Sequence, residues 1–151
     1  MARRFIRPNR ANLGVSGASM NIDLSRFEAQ YRRAQFALDS QVMIDMQPYM
    51  PMVTGTFINV TKAMSASLAG SGIVVAAAPP MGRFLYEGKV MVDPETNSPW
   101  ARKGAKKVVT EKDLKYNKNA HPKATDHWFE KAKEEHLDEW VELTKRIAGG
   151  G

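Results

Sequence analysis

Residues 46–55 read Met-Gln-Pro-Tyr-Met-Pro-Met-Val-Thr-Gly and divide the chain into two kinds of sequence. Before them, Leu24, Phe27, Tyr31, Ala34, Leu38, Val42 and Met46 recur at steps of three and four, the mark of one helical face. Ser25-Arg26-Phe27-Glu28 has the form of a capping box at the start of that helix. Pro48 ends it, because the residue before a proline avoids the α region. A helix from about 25 to 47 is therefore expected. Pro48 and Pro51 then force an extended path, and Gly55 supplies the freedom for a turn. Together, Pro48, Tyr49, Pro51, Thr54 and Gly55 are expected to carry the chain from helix to sheet.

Beyond the turn the pattern shortens. Residues 56–68 fit two periods: Phe57, Val60 and Met64 suit a helix, while Thr56, Ile58 and Val60 suit a strand. The expectation is a strand over about 62–68. Ala69-Gly70-Ser71-Gly72 reads as a turn, and Ile73-Val74-Val75-Ala76-Ala77 as the clearest strand, so the two runs are expected to pair as a hairpin. Arg83-Phe84-Leu85-Tyr86-Glu87-Gly88 suits one helical turn closed by glycine, and Lys89-Val90-Met91-Val92-Asp93 a third short strand. Glu87 and Asp93 then read as charges guarding a strand edge.

Residues 94–120 form a long lysine-rich loop, in which Val108-Val109, Leu114 and Tyr116 could add short strand segments. Loops of this length are usually functional or disordered. A last helix, from about 126 to 148, follows a cap at Thr125 or Asp126. Its apolar face carries Phe129, Ala132, His136, Trp140, Leu143 and Ile147, with Trp128, Phe129 and Trp140 as its candidate core residues. The expected class is α+β: a long N-terminal helix, a small antiparallel sheet, a long basic loop over 94–120, and a C-terminal helix packed on the sheet. Residues 1–22 are expected to be an extended basic arm, 23–148 a single domain, and 149–151 a glycine tail.

The charge is localised. Of the net charge of +6, residues 1–10 supply four arginines without an acid, and residues 101–118 supply seven basic residues against Glu111 and Asp113, leaving the rest of the chain acidic. An arm and a loop of this kind suit nucleic acid or acidic protein surfaces. Phe5, Trp100 and Tyr116 could stack on bases, so a small basic nucleic-acid-binding protein is an alternative reading. No recognition-helix or RNA-binding sheet motif accompanies the charge, however. No apolar run approaches the ~20 residues needed to cross a membrane.

Catalytic chemistry has few candidates. There is no cysteine, which removes thiol nucleophiles, disulfides and thiolate metal sites. His121, His127 and His136 do not form an H-E-x-x-H pattern, and no phosphate-binding glycine loop or G-x-S-x-G occurs. No catalytic residue, metal site or cofactor is assigned. The nine methionines suit an adaptable packing surface, and Trp100 in a polar loop suits an interface.

Three motifs, in order, resemble a family. Asp45 to Phe57 resembles the pattern D-x-x-P-Y-x-P-x-x-T-G-x-L/F of a tailed-phage minor capsid or head-to-tail joining family of Gram-positive hosts. Tyr86 to Pro94 resembles its Y-x-G-K-V-M-V-D-P strand, and His121 to Lys133 its A-x-x-H-W-F-E-K-A-K helix start. Gly82-Arg83-Phe84-Leu85-Tyr86 departs from the family's Y-A-x-x-x-Y approach to that strand. The resemblance covers about residues 24–148. It implies a non-enzymatic virion protein of the neck, assembled in the host cytoplasm and working as a connector or tail-completion ring. Its implied partners are copies of itself, six- or twelve-fold, neighbouring connector or stopper and tail-terminator proteins, and DNA passing without sequence-specific binding. It implies no cofactor and no membrane. Candidate assembly contacts are Arg3, Arg4, Phe5, Arg7, Trp100, Arg102, Lys103, Lys106 and Lys107.

Overall fold

The computed structural model describes residues 10–15 and 18–149. The elements run β1 (Arg10–Val15), β2 (Ala18–Asp23), α1 (Ser25–Met46), α2 (Thr56–Leu68), α3 (Gly82–Glu87), β3 (Lys89–Val92), β4 (Val108–Asp113) and α4 (Trp128–Ala148). The class is α+β. β1 pairs with β2 and β3 with β4, each as an antiparallel two-stranded ribbon. The last helix finds its main partner in α1 and not in a sheet, which corrects the expected packing.

α1 begins at Ser25, but its start is not the expected capping box. Leu24 is the cap position and makes no side-chain cap bond. Glu28 turns its carboxylate to Arg32 instead, at 2.6 Å. Every buried residue of α1 lies from Ala34 onward, among them Val42, Met43 and Met46. The reason is the antiparallel path of α4. Trp140 Nε1 donates to Asp45 Oδ2 at 2.7 Å, and the Tyr49 hydroxyl donates to Glu135. Rising at ~1.5 Å per residue in opposite senses, α4 ends while the first turns of α1 continue. Phe27 and Tyr31, on the same face as Ala34 and Leu38, are each more than half exposed as a result.

The 46–55 stretch does not lead into a sheet. Met46 ends α1, a 3-10 turn over Gln47–Tyr49 takes Pro48 in its first turn, and Gly55 caps a second helix, α2. The strand expected at about 62–68 is the second half of α2. Its expected partner, residues 73–77, is no strand either. Its polar backbone groups pair with side chains: Ser65 Oγ donates to Val75 O at 2.9 Å and accepts from Val75 N at 3.0 Å. Thr61 Oγ1 accepts from Ala78 N at 3.2 Å. Two buried hydroxyls on α2 thus replace a ladder, and satisfied backbone needs no second strand. Gly82 follows where the chain doubles back; a Cβ there would meet the Ala77 carbonyl carbon at 2.6 Å.

Within the 94–120 segment, residues 108–113 form β4, paired with β3 at Lys89–Asp113, Met91–Val109 and Val92–Val108. Only 94–107 and 114–120 remain loop. The expected arm likewise contains structure, since 10–15 and 18–23 fold back on each other as β1–β2. The core joins α1, α2, the 46–52 turn and α4 through Val42, Met46, Tyr49, Met50, Ile58, Trp128, Ala132 and Trp140.

Gly55 has φ +80°, and a Cβ there would lie 3.3 Å from Met52 Cε. A β-branched residue in that conformation costs about 1–3 kcal/mol. Gly55→Val should therefore lower the melting temperature by roughly 3–10 °C. Gly55→Asn, which tolerates the left-handed region, should lose less. Thermal unfolding followed by circular dichroism checks both, and an unchanged Gly55→Val curve would contradict this account of the turn.

Candidate functional site

β3 ends in a buried acid. Asp93 is fully buried and does not guard a strand edge as the sequence suggested. Its Oδ1 accepts from the backbone N–H of Glu95 at 2.9 Å and Thr96 at 3.3 Å. Its Oδ2 accepts from Arg102 N at 3.1 Å and Arg102 Nε at 3.0 Å. Backbone bonds Asp93 N to Ser98 O (2.8 Å) and Asn97 N to Asp93 O (2.9 Å) close the turn. The Arg102 side chain and these N–H groups hold the Asp93 carboxyl far below the usual carboxylate range. Glu95, and then Asp93, raise the Arg102 guanidinium in turn.

This base fixes both ends of the 93–102 loop, which carries Trp100. The Trp100 N–H donates to Ser98 Oγ at 3.1 Å, while its side chain is 84% exposed. An indole held in water on an anchored loop is the kind of residue that serves as an interface anchor. Val108 and Val109 on β4 are also about half exposed.

The structure divides the other candidate contacts. Arg102 is committed to Asp93 and Glu95. Lys107 lies over the Phe84 ring, 5.4 Å from its centroid. Lys103 and Lys106 are exposed. Arg3, Arg4, Phe5 and Arg7 lie outside the described residues.

The 46–55 stretch is held against the approach to α4. Thr125 N donates to Tyr49 O at 3.0 Å, and His121 Nδ1 pairs with Met50 O at 2.8 Å. Glu135 receives the Tyr49 hydroxyl and Lys123 Nζ, the latter at 3.2 Å. The Tyr49 bond, with Lys123 behind it, lowers the Glu135 carboxyl, and burial raises the Tyr49 hydroxyl. Pro48, Val53 and Thr54 are exposed, and Pro51 is half-buried.

The aromatic residues of α4 sit inside. Trp128 is fully buried and Trp140 nearly so, with Phe129 stacked on Trp140 at 6.3 Å between ring centroids. His127 occupies the cap of α4 in a left-handed conformation, φ 43°. His136 pairs with Glu139 at 2.9 Å, on its own helix. Among the described residues, no group of three or more His, Asp or Glu is placed to hold a metal ion. No described helix is long and apolar enough to cross a membrane.

The family of minor capsid proteins matches the chain over residues 15–148. The chain belongs to that family, and its role is structural, in a phage virion. No curated protein and no solved structure shows a significant match.

Asp93 supplies a pH test. Its carboxyl is depressed in the folded state, so its contribution is present above about pH 4, the ordinary carboxyl value. That contribution is lost as pH falls below it. Asp93→Asn should therefore unfold at lower temperature than the natural chain at pH 7, and the gap should narrow steadily below about pH 4. A gap of constant size from pH 7 to pH 2.5 would contradict the ionised, multiply bonded Asp93.

Proposed function

We propose that the chain is a non-enzymatic subunit of the head-to-tail connector, a neck or tail-completion ring that joins the filled capsid to the tail. The exposed Trp100 on its Asp93–Arg102 base carries this reading. An apolar anchor left in water by the subunit is a surface meant for another chain. Membership of the minor capsid family, and the three motifs spread along the chain, support the virion setting. A ring needs two different surfaces that meet head to tail and close. The β3–β4 loop supplies one, and the exposed first turns of α1, with the ribbon before them, supply a region for the other.

In this reading the partners are further copies of the chain, six- or twelve-fold, with connector or stopper and tail-terminator proteins above and below. Genomic DNA passes through the ring without sequence-specific contact. Lys103, Lys106, Lys115 and Lys118 are described loop cations left exposed for either DNA or an acidic protein face. Arg102 and Lys107 are occupied at home, which favours protein assembly over nucleic-acid binding as the main role of the loop.

Trp100→Ala tests the reading in a phage that carries this gene. Removing an interface anchor costs about 2 kcal/mol or more, roughly thirtyfold in the contact. The variant should keep its melting temperature, because Trp100 covers nothing in its own subunit, yet yield filled heads and tails that do not join. Deleting residues 1–22 should give the same unjoined particles. Normal numbers of joined, infectious particles from both variants would overturn the neck assignment.

A further inference from the structure

The body of the fold carries a surface that matches the Trp100 loop. The indole stands in water on its Asp93–Arg102 base, outside the grooves of its own subunit. Lys103 and Lys106, just beyond it, are exposed as well. The loop therefore presents an apolar ring beside two cations. A covered aromatic side chain buries about 150–250 Å². That is well below the ~800 Å² per partner of a stable binary interface. Trp100 is thus suited to be the anchor of a wider contact, and what it needs is an apolar recess with an acidic edge.

α1 and α4 leave such a recess, a groove of about 440 Å³ with walls that include Leu38, Val42, Phe129, Leu137 and Val141. Leu137 and Val141 are 44% and 41% exposed, so apolar surface opens to water there. Beyond Leu38, the same face of α1 runs on to the exposed Tyr31 and Phe27. Next to the groove, on the outward side of α4, Glu134 and Asp138 are exposed. Lys133 and Lys145 also border it, but Lys145 pairs with Glu142 at 3.1 Å. Over residues 130–142, six acids stand against two lysines. A second groove, between α1 and α2, is smaller, about 180 Å³, and Lys62 lines it. Its acid, Asp39, is buried and accepts from the Gly70 and Gly72 N–H groups. There a cation would oppose Lys103 and Lys106 instead of attracting them.

We propose that Trp100 of one copy seats in the α1–α4 groove of the next copy, its indole against Leu137 and Val141, with Lys103 and Lys106 beside Glu134 and Asp138. This rests on the ring reading above, because it takes the loop as an assembly anchor. The contact joins two different surfaces of the same chain, so it repeats head to tail and can close. Burial of the indole supplies the hold. The exposed charge pairs add little affinity and instead set the orientation and the choice of partner.

Benzoylphenylalanine, a photo-reactive aromatic amino acid, placed at position 100 keeps an apolar ring at the anchor and reports what it touches. Full-length protein carrying it is mixed with an excess of isotope-labelled natural chain, at high concentration and in assembled particles. After irradiation and digestion, the linked peptides are read by mass spectrometry. The expected product joins position 100 to residues 133–145 of a labelled copy. A link within the same chain, to another segment of the second copy or to a different virion protein would overturn the proposal, and so would no link between copies. Val141→Asp, at an exposed position, gives a second readout. It should keep its melting temperature and weaken self-association about tenfold or more in sedimentation. Added to Trp100→Ala it should cost little further, because both remove one contact. Fully additive losses would also overturn the proposal. Labelling the chain in whole particles for electron microscopy reads the neck assignment separately. A label at the neck with no link into the groove sinks the groove contact alone, and a groove link in a chain labelled elsewhere sinks the neck assignment alone.

Discussion

The buried indole of Trp128 is the contact on which the other packing choices depend. Its Nε1 donates to Ala76 O at 2.8 Å. Its ring meets Phe57 edge-on at 5.9 Å and Tyr86 edge-on at 4.7 Å. One side chain therefore joins the start of α4 to α2, to the irregular 73–78 segment and to α3. Replacing such a residue by alanine typically costs about 3–5 kcal/mol, a large part of a single domain's stability. The backbone around it cooperates: His127 N donates to Tyr86 O at 3.0 Å, and Thr125 N to Tyr49 O at 3.0 Å. With that end of α4 fixed, its antiparallel run along α1 follows, and so does the groove between them.

The same geometry explains where a period-based reading of the chain succeeds and where it fails. The two long helices are legible because their apolar residues recur at helical spacing over five or six turns. The segment 56–77 is not, because its outcome depends on two hydroxyls. Ser65 and Thr61 look like ordinary polar positions in either period, yet in α2 they satisfy Val75 and Ala78 and remove the need for a strand pair. Val74, Ala76 and Ala77 then pack against the core as irregular chain, while Ile73 stays exposed. Residues 108–113 were visible only as Val108-Val109, since β4 is mostly exposed and its lysine and acids disguise the alternation.

The candidate surface was partly legible as well. Trp100 stands out as an aromatic residue in a polar loop, and the structure leaves it in water. What holds its loop is Asp93, whose neighbours Pro94 and Glu95 give no hint of burial; only its Arg102 partner, nine residues on, completes the base. Arg102 and Lys107, read as candidate assembly contacts, have partners within the subunit: Asp93 and Glu95 for the one, the Phe84 ring for the other. The ribbon was hidden for a different reason. Asn, Gly and Ser at alternate positions lower the mean hydropathy of residues 10–23, and the period of two beneath them shows only once the register pairs Leu13 with Met20.

In the ring reading proposed above, the exposed indole is covered by other copies. The most direct measurement of that claim is the mass of the full-length protein by native mass spectrometry, over rising concentration, alone and with tail or connector extract. The account predicts one closed species of defined copy number, six or twelve in the ring proposed. A chain that stays monomeric with every protein partner, and changes mass only when DNA is added, would contradict it.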